Sequence, residues 1–111
     1  MSDAVIVKGT TTDQTDVPVS ADGNNLVVVA NISSGAGSLV VTIKGQTSSG
    51  YEYTLLTSES LSGVGSTPLR IFPGATPSEN AVANDVVPST VFISVDVTGT
   101  ITYGIDAFSE D

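Results

Sequence analysis

Apolar residues recur at every second position in run after run of this chain, and turn-forming residues break the runs about every ten positions. The stretch from Ser38 to Gln46 is the plainest case: Leu39, Val41 and Ile43 alternate with Val40, Thr42 and Lys44. A period of two sends successive side chains to opposite faces of an extended strand, whereas a helix with one buried stripe needs apolar residues three and four apart. The residue types agree. Sixteen Val, seven Ile and fourteen Thr make up one third of the 111 residues. Their branched Cβ atoms crowd a helical turn but pack well on a pleated surface.

Reading along the chain, eight segments carry this pattern: 4–8, 17–19, 26–33, 38–46, 51–57, 67–72, 90–97 and 101–108. Pro18 confines its segment to an edge or a strand start. In the third segment Leu26, Val28, Ala30 and Ile32 share one face, with Val27, Val29 and Asn31 on the other. Apolar residues on both faces imply cover on both sides or an oligomer contact. Asp22-Gly23, Gly35-Ala36-Gly37, Ser49-Gly50, Gly63-Val64-Gly65 and Gly99 mark turns. Leu56 and Leu61 bracket a polar TSES segment that reads as a strand resumed after a bulge. Residues 77–85 have room for one helical turn, with Thr76 as N-cap and Pro77 at the first helical position. No alternation of strands with long helices exists to build a parallel sheet. The expectation is an all-β, antiparallel two-sheet β-sandwich of seven to eight short strands. Jelly-roll-like and immunoglobulin-like connections satisfy the alternation equally. Residues 1–16 read as an extended N-terminal arm and 17–111 as a single sandwich domain.

Charge excludes several functions. Lys8, Lys44 and Arg70 face twelve carboxylates, for a net charge of -9, and the chain has no His, Cys or Trp. Three scattered cations cannot neutralise a phosphate backbone, so nucleic acid is not an expected partner. Without Cys or His there is no disulfide, thiolate nucleophile, Cys/His zinc cage or imidazole base. The Ser and Thr hydroxyls therefore lack the partner that activates a nucleophile. Asp13 and Asp16 offer oxygen ligands but not the dense carboxylate spacing of a calcium loop. Glu52 and Glu59 recommend themselves as a glycosidase pair only by type, since nothing sets them across a cleft. No cofactor, metal site or catalytic residue is expected. The N-terminus is acidic where a leader needs basic residues, and the longest apolar run, Leu26–Ala30, is far short of the ~20 residues that span a membrane. Synthesis in a cytoplasm and no membrane partner are the expectation.

Two segments fit contact with another protein. Thr10, Thr11, Thr12 and Asp13 lie in a run with no apolar residue. Arg70 and Phe72 lie in Leu69-Arg70-Ile71-Phe72-Pro73-Gly74, where a scarce cation stands beside an aromatic ring.

The order of the motifs resembles a known group. The segments LVVTIKGQTSSGYEYTLLTSESLSGVGSTPLRIFPG and ENAVANDVVPSTVFISVDVTGTITYGIDAF, within residues 26–108, are similar to small proteins encoded among the head and structural genes of tailed bacteriophages. That resemblance implies a β-sandwich and a virion structural role, foremost as a decoration (cement) protein on the outer capsid surface. It also implies the major capsid protein as partner and a homo-oligomer, a trimer by analogy, and brings no catalytic residues. The runner-up in the same setting is a receptor- or glycan-binding module of a tail tip or fibre. A small hydrolase using Glu52 and Glu59 is the third. A charge of -9 suits the outside of a shell, away from packaged DNA.

Overall fold

The computed structural model describes residues 3–10, 13–20, 25–46, 49–71, 82–83 and 90–110. The chain forms β1 (Asp3–Thr10), β2 (Gln14–Ser20), β3 (Asn25–Gly35), β4 (Ser38–Gln46), β5 (Glu52–Thr57), β6 (Leu61–Ser62), β7 (Gly65–Ile71), β8 (Val82–Ala83), β9 (Thr90–Thr98) and β10 (Ile101–Glu110). One sheet has the order β1-β10-β3-β7-β8 and the other β2-β9-β4-β5, with β6 also paired to β4.

The pairing has a simple logic. β1 pairs with β10, β2 with β9, β3 with β7 and β4 with β5, all antiparallel. The first half of the chain therefore lies against the second half as one long hairpin. Wrapping that hairpin brings β3 beside β10 and β4 beside β9, which divides the strands between two sheets. This connection is the jelly roll of two Greek keys, and it decides between the two topologies that the alternation left open.

Alternation supplies the core. Leu26, Val28, Ala30 and Ile32 of β3, Leu69 and Ile71 of β7, and Ile101, Tyr103, Ile105 and Ala107 of β10 are buried from one side. Leu39, Val41 and Ile43 of β4, with Val91, Ile93 and Val95 of β9, meet them from the other. Each fully buried aliphatic side chain contributes roughly 1.5–3 kcal/mol against leaving it in water.

Three expectations need correction. Among the described residues there are ten strands instead of seven or eight, because β6 and β8 are two residues each and too short to show a period. The sheets are not wholly antiparallel, since β8 runs parallel to β7 through Arg70↔Val82 and Ile71↔Ala83. The same two residues, Val82 and Ala83, fall inside the segment expected to hold a helical turn; the rest of that segment is outside the described residues. The segment read as an N-terminal arm carries β1 and the start of β2. Asp3–Thr10 pairs with β10 from Asp3↔Phe108 to Thr10↔Tyr103, and β2 begins at Gln14. A strand at a sheet edge is held by main-chain hydrogen bonds, so a Thr-rich run needs no apolar side chains to belong to it.

The bulge expected in TSES is present. Thr42 pairs with Thr57 and Leu39 with Leu61, leaving three residues opposite two. A second irregularity falls at Leu55: Ile43 pairs with Leu56 but Lys44 with Thr54. Leu55 and Leu56 are consequently both buried, although they are adjacent in sequence. At one end of the sandwich two turns touch backbone to backbone. The Gly37 N–H donates to the Thr100 carbonyl at 2.8 Å, and a Cβ on Gly37 would lie 2.4 Å from the Thr98 carbonyl oxygen. Only hydrogen fits there.

Candidate functional site

Those of the residues singled out from sequence that the structure describes do not converge. Thr10 ends β1 opposite Tyr103, and Tyr103 stands opposite Ile32 on β3. Arg70 stands opposite Val27, five residues away along β3, or about 17 Å at the rise of a strand. Thr11, Thr12 and Phe72 lie outside the described residues. Asp13 is exposed, and its Oδ1 accepts a hydrogen bond from the Val97 N–H at 2.7 Å. That bond ties the β1–β2 connection to the end of β9. Arg70 is exposed between buried Leu69 and Ile71, so it projects from the outer face of its sheet.

The carboxylates weighed as a catalytic pair are also apart. Glu52 stands opposite Gln46 at one end of β4. Glu59 follows Ser58, which is bonded to Val41, so about five strand residues, or about 17 Å, separate the two positions. Both are exposed. A retaining pair needs carboxyl groups about 5 Å apart and an inverting pair no more than about 10 Å. Among the described residues no group of three or more His, Cys, Asp or Glu could hold a metal ion, and no helix is long and apolar enough to cross a membrane.

Among the described residues, polar chemistry inside the sandwich is confined to a few bonded groups. Ser58 is buried, and its Oγ accepts the Val41 N–H and donates to the Glu59 carbonyl, both at 2.8 Å. Tyr103 has no solvent exposure. Burial pushes its phenol above the ordinary value of 10.0; a side-chain hydrogen bond with Gln14 works the other way, and the charge of Asp13 adds to the rise. These groups brace the fold. The Tyr103–Gln14 bond links β10 of one sheet to β2 of the other, and no local sequence pattern announces it.

The surface is more informative. Tyr51 is 74% exposed and Tyr53 41%. Tyr51 immediately precedes β5, an edge strand, and Tyr53 lies at its start in register with Gly45. A Cβ on Gly45 would lie 2.6 Å from the Tyr53 ring, so the glycine is what lets the ring lie against β4. Val64, 75% exposed, tips the turn between β6 and β7. Outer-facing Val27 and Val29 form a further apolar strip on β3. No family model, curated protein or solved structure matches the chain.

Proposed function

We propose that this chain is a non-enzymatic virion structural protein, a capsid decoration (cement) protein that binds the outer surface of a tailed-phage head and stabilises it. The observation that carries the reading is the jelly-roll strand order, an architecture used by viral capsid and lectin domains. Fold analogy links that architecture to the role. The motif resemblance supports it, since its two quoted segments span β4 to β7 and β8 to β10. Composition supports it as well. The chain lacks His and Cys, and its apolar outer strip and edge strands suit contact between proteins better than turnover. The partner is the major capsid protein, with copies of the chain associating on the shell. No cofactor or nucleic acid takes part. Synthesis is in the host cytoplasm, and the charge of -9 favours a position outside the shell, away from DNA.

Exposed Tyr51 and Tyr53 favour a second reading, a receptor- or glycan-binding module of a tail tip or fibre, because aromatic faces with a polar tip suit sugar contact. Mixing the purified chain with heads that lack it, then sedimenting the heads, tests the first reading. Saturable co-sedimentation supports it. Absence of binding to heads, with retention on a glycan array, overturns it in favour of the second.

A further inference from the structure

A sheet face turned to water normally carries polar side chains at its outward positions. The first sheet departs from this at its middle strand. Val27 and Val29 of β3 alternate with buried Leu26, Val28 and Ala30 and are themselves only partly exposed. Beside them on β7, Arg70 is in register with Val27 and Pro68 with Val29. On the other flank, Asp106 of β10 is in register with Val29. The valine strip thus has a cation on one side and a carboxylate on the other, one residue row apart. The carboxylate is anchored on this face: Asp106 Oδ2 accepts from Asn31 Nδ2 at 3.3 Å, and Asn31 Oδ1 accepts from Ser66 Oγ. On the outer face of the second sheet the central row is polar, Thr42 in register with Ser94, and it separates Val40 beside Asp96 from Phe92 beside Lys44.

We infer that the outer face of the β1-β10-β3-β7-β8 sheet docks a second copy of this chain about a two-fold axis running along β3. Charge complementarity under that symmetry selects this arrangement. Rotation about β3 lays the β7 of one copy over the β10 of the other. Arg70 then stands one row from Asp106 of the second copy, about 7 Å along the strand, within reach of its long side chain. The same pair recurs on the other side of the axis, as an isologous interface requires. Valine meets valine between the two ion pairs. For a chain of net charge -9 with three cations, most ways of bringing two copies together set carboxylate against carboxylate; this one sets opposite charges together twice. The inference makes the homo-oligomer of the proposed function a two-fold dimer in place of the trimer that the resemblance implied, and otherwise rests on that reading.

Sedimentation equilibrium of the purified full chain, without capsids, tests it. The wild-type chain is expected to form a reversible dimer. Arg70→Asp and Asp106→Arg should each weaken association about tenfold or more, and the double swap should restore most of the loss. Val29→Thr, which keeps strand propensity and near-equal volume, should also weaken association and decides the matter if either charge variant loses the circular dichroism of the folded chain. A wild-type monomer at every concentration, unaltered association in both single variants, or a double swap no better than the singles overturns the inference. Head binding is measured separately. A monomer that still binds heads removes this interface alone, and a dimer that does not bind heads removes the capsid reading alone.

Discussion

Ser58 holds Val41 at both ends of its peptide hydrogen bonding. The Ser58 N–H donates to the Val41 carbonyl at 2.8 Å, and the Ser58 Oγ accepts the Val41 N–H at 2.8 Å. Val41 is fully buried in β4, and its outer neighbour strand is interrupted there by the TSES bulge. One serine therefore supplies with main chain and side chain what a continuous strand would supply with main chain alone.

Ser58→Ala removes the acceptor and leaves the Val41 N–H buried without a partner. We expect a loss of about 1–3 kcal/mol in stability, read as a lower urea midpoint with an unchanged slope. Amide hydrogen exchange at Val41 should accelerate beyond what that global loss explains. An unchanged midpoint would show that the bulge is not held by this hydroxyl.

Two glycines at the same end of the sandwich make a paired test. Gly37 is hemmed in by Thr98 and Thr100 main chain, with a Cβ 2.4 Å from the nearest carbonyl oxygen. Gly63 has φ +83° but nothing within 4 Å of its Cβ position. Gly37→Ala should cost about 3 kcal/mol through overlap with backbone that cannot retreat. Gly63→Ala should cost about 1–2 kcal/mol through conformation alone. Thermal denaturation of both variants gives the order, and equal losses would deny the packing of the two turns.

Tyr103 predicts a loss of stability in alkali. Its phenol is held above 10.0 in the folded chain, chiefly by burial, so the folded state binds the proton more tightly than the unfolded state does. The stability from this difference is fully present below pH 10 and is lost as pH rises through the raised folded value. Tyr103→Phe should remove that part of the alkaline decline, while losing about 1 kcal/mol near neutrality with the Gln14 bond. Identical alkaline slopes in wild type and variant would contradict it.

Much of the fold was legible because alternation is a local signal. Leu39, Val41 and Ile43 on one face of β4, and Ile101, Tyr103, Ile105 and Ala107 on one face of β10, follow directly from a period of two. What alternation cannot carry is which strand lies beside which. The jelly-roll order depends on pairs such as Ala4↔Ala107, far apart in the chain, and on edge strands held by backbone alone. That is why β1 reads as an arm. The interface residues were less legible for a related reason. Arg70 and Asp106 become neighbours of one valine strip only once β7 and β10 flank β3, whereas the apolar doubling of Val27 and Val29 is visible in the sequence itself.

The most direct test of the proposed function is cryo-electron microscopy of purified particles from a phage that encodes this chain, with and without its gene. The account predicts ordered density of jelly-roll shape on the outer surface of the head, present only with the gene, and heads that break open at a lower temperature without it. Particles that carry the protein only at the tail, or lack it altogether, would contradict the account.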